Sequence, residues 1–517
     1  MKSIRPDKLL VLFNCLVMLL VSNVFAPAWS AETKSQGIQG IRGTFFDFID
    51  DPWKHVGHDE EAARFYEDGL LVIDNGIIKA FGPYSEVSTQ YPGLKVTYLP
   101  NRIILPGFVD GHGHFPQCRV LGEYGLQLLP WLQKWIYPEE TKYKNPSYAA
   151  EGIRHYFDNL LAAGTTTIID YGSTFPNATE AYFDEASRRN MRVLSGLQGI
   201  DRACPPGFGL QPEPFYSESK RLIEKYHGKG RNLYATSLRF AYGCTPQLME
   251  KFSLLHKEYP DIWVNTHVCE NPTETRDSAA LFGVSDYLGC YEKYGLVGPK
   301  FVAGHGVQLS DDEYKRLSKA GASVSFCANS NMFLGNGLFR LGKAKDPENG
   351  VRLIFGADVG GGNSYSMLSV LNQAYKVGMV NATRLDGSID HVMQDDAQSE
   401  RNKLNAYRAF YSLTLGGANG LYLDDKIGSF QPGKEADFVA LDWTAGPPWQ
   451  PWHQSLICDK PTTKDQAAEL LFGVMSVGDE RAVDETWIMG RRLYKRSQLA
   501  LASTTNGNGK YSNTNGK

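Results

Sequence analysis

The sequence predicts a mixed α/β chain, with a (β/α)8 TIM-like barrel over 106–420 and a small composite β-sandwich domain built from both chain ends. Three observations predict it. Eight short apolar runs between Ile103 and Ala357 alternate with helical patterns, the signature of a parallel barrel. Strand-rich stretches at 36–105 and 421–497 flank that middle. No glycine-rich phosphate turn follows an early strand, so an open doubly wound sheet is the weaker architecture.

Taken in order, Lys2, Arg5 and Lys8 precede apolar runs at Leu9–Phe13 and Cys15–Val21, then small residues at Ala26, Ala28, Ser30 and Ala31. Basic, apolar and small regions in that order predict a secretory signal peptide at 1–30 and an exported chain, periplasmic or secreted. The uncharged run is short for an uncleaved membrane anchor. Strands follow at Gly40–Phe48, Gly69–Asp74, Gly76–Phe81 and Lys95–Leu99, with Asn75-Gly76 as a hairpin turn.

The eight barrel strands are expected at Ile103–His112, Thr165–Tyr171, Arg192–Leu197, Tyr234–Phe240, Ile262–Val268, Phe301–His305, Ser323–Cys327 and Arg352–Ala357. Ser310 is placed to cap a helix at Asp311–Ala320. Gln117–Lys144, with its aromatic-rich LLPWLQKWIYPEE, interrupts the alternation after the first strand and reads as a lid over the barrel mouth. Strands return at Asp437–Leu441, Asp484–Ile488 and Arg491–Tyr494, with a short helix at Asp465–Phe472. The tail, 498–517, has the polar, glycine-rich composition of a disordered segment.

Charge narrows the function classes. Lys+Arg 53 against Asp+Glu 57 gives −4, no footprint for nucleic acid or an anionic membrane. A small, mildly polar ligand is expected instead. Of 8 cysteines, Cys15 lies in the leader, and no CxxC pair marks a thiolate zinc site.

Five residues carry the chemistry because all fall at strand C-termini, where barrel active sites form. His112 and His114, two apart, point to one side of the first strand. His267 lies in NTHVCE, His305 in VAGHG, and Asp358 follows IFGA. The other histidines lack that placement. Imidazoles with one carboxylate suit Zn²⁺, an open coordination position would make such a site catalytic, and the metal would lower the pKa of its bound water to about 7. Glu270, three residues past His267, is placed to move protons in the same cavity.

These motifs resemble the amidohydrolase superfamily and, within it, the guanine deaminase family: HGHFPQ, the LLPWLQKWIYPEE lid, LRFA, THVCE, GHGVQLS, NSNMFLGNGLF and GADVGGGNSYSML follow in that family's order. The resemblance runs from Ile38 to Arg496. It implies one zinc per subunit held by His112, His114, His267 and Asp358, with iron compatible with the same donors. It implies catalytic roles for Glu270, His305 and Asp358. Substrate contacts would come from Gln117, Arg239, Phe240, His267 and Glu270. The implied reaction is hydrolytic deamination of guanine to xanthine and ammonia by a homodimer. A related purine or pterin ring is the nearest alternative; a non-catalytic barrel would have lost these ligands. Two-metal relatives carry a lysine at the fourth strand's end, and SLRFA has none. Phe326 and Ala328 stand where the family has His and Pro, and Ala357 where it has Thr.

Overall fold

The structure, a computed structural model, describes residues 37–125, 127–385, 391–393 and 397–496. The leader expected at 1–30 and the tail expected at 498–517 lie outside the described residues. Strands are numbered in chain order. β1 (Ile38–Phe48), β2 (Ala63–Asp74), β3 (Ile77–Pro83) and β4 (Val96–Pro106) open the small domain. The barrel strands are β5 (Phe108–His114), β6 (Thr165–Tyr171), β7 (Arg192–Ser195), β9 (Asn232–Phe240), β10 (Trp263–Val268), β11 (Phe301–His305), β12 (Ser323–Phe326) and β13 (Arg352–Phe355). A two-residue β8 (Gln198–Gly199) extends the third position, and a ribbon of β14 (Thr383–Leu385) with β15 (His391–Met393) follows the barrel. The small domain resumes with β16 (Phe438–Leu441), β17 (Val483–Ile488) and β18 (Arg491–Lys495).

The barrel strands pair in parallel from β5 through β13. The ring is joined where the Asp358 N–H donates to the His112 carbonyl at 2.8 Å and the Ala357 N–H to Asp110 Oδ1 at 3.0 Å. The link joining the last strand to the first therefore also carries two of the predicted site residues. One apolar cluster, including Val109, Ile169, Leu194, Val302 and Ile354, lies near the strand N-termini and is capped by Ala418, Leu421 and Ile427. The larger core lies between strands and helices. The helix Asp311–Ala320 starts where expected, with Ser310 and Glu313 completing a capping box.

The composite domain is one hydrogen-bonded path, β18-β17-β16-β4-β1-β2-β3, in which β4 is parallel to β1 and antiparallel to β16. Asn75 and Gly76 both take positive φ, the two-residue turn that suits the β2–β3 hairpin. Two expectations are corrected. The run Ile103–His112 is not one strand: β4 ends at Pro106 in the small sheet and β5 begins at Phe108 in the barrel. Both sheets want apolar residues there, so hydropathy continues across Pro106-Gly107 while the chain changes sheet. The region 421–497 is not all small domain either. The helix Lys464–Val477, longer than the expected Asp465–Phe472, packs on the barrel's helical layer, with the Phe472 ring 5.2 Å from Tyr375.

The segment 117–144 folds as short helical pieces, Leu128–Trp131, Leu132–Ile136, Tyr137–Thr141 and Lys142–Lys144. Its underside, Val120, Leu128, Trp131, Leu132, Ile136 and Tyr137, packs on Phe240 at the end of β9 and on Ile200, Phe208 and Leu334 beyond the strands. It covers the barrel mouth. Among the described residues no helix is long and apolar enough to cross a membrane. The cysteines of the described residues (Cys118, Cys204, Cys244, Cys269, Cys290, Cys327 and Cys458) are free thiols.

Candidate active site

His112, His114 and His267 converge through their Nε2 atoms, which stand 3.2–3.3 Å from one another. Asp358 Oδ1 lies 3.5 Å from His112 Nε2 and 3.4 Å from His114 Nε2. Four donors tetrahedral about an ion at roughly 2.0–2.1 Å stand about 3.3 Å apart, so the cluster has the spacing of a first-row divalent cation. Burial, with repulsion from neighbouring cationic groups, holds all three imidazoles well below their ordinary pKa. Neutral, lone-pair-bearing imidazoles are what a metal requires.

Backbone geometry aims these groups. His267 Nδ1–H donates to the Arg239 carbonyl, leaving Nε2 free to ligate. Tyr171, at the end of β6, stacks on His114 at 4.5 Å and lies 4.3 Å from the His267 ring. It wedges the imidazoles in place. A Cβ on Gly304 would come within 2.6 Å of His112 Cε1, so only glycine leaves room for that ring. His305 and Asp358 take φ of +68° and +49°, the left-handed region that side chains rarely adopt. Such residues cost about 1–3 kcal/mol each and persist where packing over-determines them, commonly at functional sites.

His305 sits between the two acids. Its Nε2 is 3.4 Å from Glu270 Oε2 and 3.9 Å from Asp358 Oδ2, and its Nδ1–H donates to Asn331 Oδ1 at 2.9 Å. Burial lowers its pKa. Glu270 is pushed well above the usual carboxylate range by burial and by Asp358, and accepts from Asn336 Nδ2 at 2.8 Å. Burial raises Asp358 as well. A neutral carboxyl beside an imidazole beside a second carboxyl is an arrangement that can move protons in two directions.

The predicted substrate-binding residues divide. Gln117 and Arg239 meet, each donating at 2.8 Å to Glu140 Oε1. Gly360, at φ +114°, lets Gln117 lie against the loop after Asp358. Phe240 is buried in the lid cluster. Phe326, the departure from the family pattern, stacks on Phe339 at 4.4 Å in the core between sheet and helices.

Sequence reasoning missed Glu140, Gln198, Tyr171, Asn271 and Asn336. Asn271 Nδ2 donates to Asn336 Oδ1 at 3.2 Å and to the lid residue Gln127 at 2.9 Å, so lid and Glu270 share one chain of amides. Asn336 and Glu140 lay inside quoted motifs, NSNMFLGNGLF and LLPWLQKWIYPEE, but nothing in the sequence said which residue either one met.

The chain is similar to known proteins over most of its length. Residues 103–493 match the Amidohydrolase family. A guanine deaminase of Escherichia coli strain K12 is 40% identical over 465 residues, covering 89% of this chain and 98% of that one. A probable guanine deaminase of Deinococcus radiodurans is 34% identical, covering 85% and 96%. The crystal structure of guanine deaminase from Bradyrhizobium japonicum superposes with a TM-score of 0.87 at 61% identity, covering 89% of this chain and all of that one.

Proposed function

The chain belongs to the amidohydrolase family, as a hydrolytic deaminase of its guanine deaminase group, and from that premise we propose that it converts guanine and water to xanthine and ammonia. One observation carries the reading: Glu270 and Asp358 flank His305, at 3.4 and 3.9 Å, beside the three-imidazole cluster. The names of the relatives at 40% and 61% identity support guanine as the ring.

His112, His114, His267 and Asp358 would hold one Zn²⁺ per subunit. When bound, the ion supplies a water nucleophile at neutral pH and Lewis-acid polarisation. Arg239 donates to the purine O6, and Gln117 reads a neighbouring ring edge. His305, fixed by Asn331, orients the attacking water. Asp358 takes a proton from that water as its oxygen adds to C2, and neutral Glu270 gives its proton to the ring nitrogen beside C2. The tetrahedral carbon then collapses. Glu270 recovers a proton from the new hydroxyl as the carbonyl forms, and the proton on Asp358 leaves with the amine as ammonia. The site closed by the lid excludes bulk water.

Export by the 1–30 leader and a homodimeric state form part of the same proposal, supported by the leader's basic–apolar–small order and by the family resemblance. N-terminal sequencing of protein from cell fractions and light scattering test them.

The deciding experiment is ammonia release from guanine by the purified, zinc-loaded chain, with 8-oxoguanine, pterin and adenine alongside. Preferred turnover of guanine, abolished by chelator and restored by zinc, is expected. Turnover of another ring alone would move the substrate. No turnover of any ring with zinc bound would overturn the aminohydrolase reading.

A further inference from the structure

Glu140 is the last residue of the lid motif LLPWLQKWIYPEE, was assigned no chemistry there, and is not used by the reaction described above. It is 2% exposed, on the lid helix Tyr137–Thr141, and every group that meets it is a donor. Oε1 accepts from Arg239 Nη1 and from Gln117 Nε2, each at 2.8 Å. Oε2 accepts from Gln198 Nε2 at 3.3 Å. Gln198 Oε1 in turn accepts from Arg239 Nη1 at 3.0 Å. The lid also supplies the Tyr137 ring, 5.5 Å from the Arg239 guanidinium. All four polar residues are nearly or fully buried.

We propose that Glu140 is a positioning residue through which the closed lid sets the donor–acceptor pattern of the substrate-reading end. The inference rests on the assignment of Arg239 and Gln117 to substrate. An ionised carboxylate is acceptor-only, so it fixes which way each amide partner faces. Gln117 must turn its N–H to Glu140 and keeps its carbonyl oxygen for a ring N–H or amino group. Gln198 must turn its N–H to Glu140 and its oxygen to Arg239. Arg239, tied at Nη1, is held as a fixed donor for a ring carbonyl. The pocket is thereby set for a ring with an acceptor at C6 and a donor beside it, and set against a ring with a donor at C6.

A neutral amide at position 140 offers one acceptor and one donor. Its N–H would face the N–H of Gln117 or Gln198, and one of them must flip. The pattern, rather than the fold, is what that change removes.

The test compares guanine with 2,6-diaminopurine, which keeps the reacting 2-amino group and replaces the C6 oxygen by an amino donor. Both rings are followed by ammonia release and by calorimetric binding to zinc-loaded protein. A site that pairs polar edges rejects the mismatched ring strongly in the wild type. In Glu140→Gln the preference for guanine is expected to fall by about 30-fold, through KM and Kd rather than kcat, with zinc content and unfolding midpoint kept. Glu140→Asp, which keeps the charge and withdraws it by one methylene, is expected to lose most of the same preference. Were Glu140 only a counter-charge for buried Arg239, Glu140→Asp would keep it. Where Glu140→Gln fails to fold, Gln198→Met carries the test, with an expected fall of about threefold to tenfold. Unchanged preference in a folded Glu140→Gln or Gln198→Met overturns the inference, as does wild-type binding without preference. Failure of the guanine reading is separate: the wild type would release no ammonia from guanine.

Discussion

At the strand ends, His112, His114, His267, Glu270, His305 and Asp358 converge from four strands or the turns just past them, so strand geometry does most to bring them together. At the other end of the pocket, Gln117 and Arg239 are set by a carboxylate from a lid helix that begins twenty residues beyond Gln117. The first arrangement is braced by backbone: the Arg239 carbonyl on His267, the Asp358 N–H on the His112 carbonyl, the absent Cβ of Gly304. The second exists only while the lid is closed. The proposed reacting groups are therefore held by the barrel strands, and the proposed substrate-reading groups by contacts with the segment inserted after the first barrel strand.

Breaking the strand-end half gives the largest effect. Glu270→Gln is expected to keep metal and substrate binding while turnover falls by about a thousandfold, read as kcat at saturating guanine. Retained turnover would show that the proton path does not pass through residue 270. The middle effect lies where the two halves touch. Asn336→Ala removes the amide that holds Glu270 Oε1 and links it to Asn271 and the lid residue Gln127. A fall in kcat of about tenfold to a hundredfold is expected, with KM little changed. A KM effect alone would place Asn336 with the recognition half.

The smallest effect tests the strand-end support itself. Asp170, on β6, accepts the Phe115 N–H at 3.0 Å just after His114, and burial pushes its carboxyl up to about 7. Its pKa is higher folded than unfolded, so the folded chain binds the proton more tightly. Its contribution to stability is full at low pH and is lost as pH rises through about 7. Asp170→Asn removes that slope. Between pH 5 and 7 the wild type should lose about 2 kcal/mol more than the variant, measured by urea unfolding at both values. Equal slopes would remove Asp170 as a buried acid.

The same contrast decides what was legible in the sequence. His112 and His114 were readable because a two-residue spacing on a strand fixes a common side, and His305 and Asp358 because each closes a short apolar run. Glu140 was not. It stands beside Glu139 in a lid helix, where a pair of acids ordinarily faces solvent. Glu139 pairs with Lys142 and Tyr148, while Glu140 turns inward to a residue about a hundred positions away. Only tertiary closure separates the two. The Ile103–His112 run failed for a related reason, since two adjoining sheets with the same appetite for apolar residues leave no change in hydropathy at their boundary.

The seven-stranded sheet has a consequence for the order of synthesis. β4 lies between β1 and β16, so one of its edges stays open until residues 438–441 have been made and the rest of the barrel has preceded them. The emerging chain cannot seal this layer early, and an unpaired strand edge invites pairing with other chains for as long as it stays open. Closure waits for the C-terminal strands, so the finished molecule forms only after nearly the whole polypeptide is available.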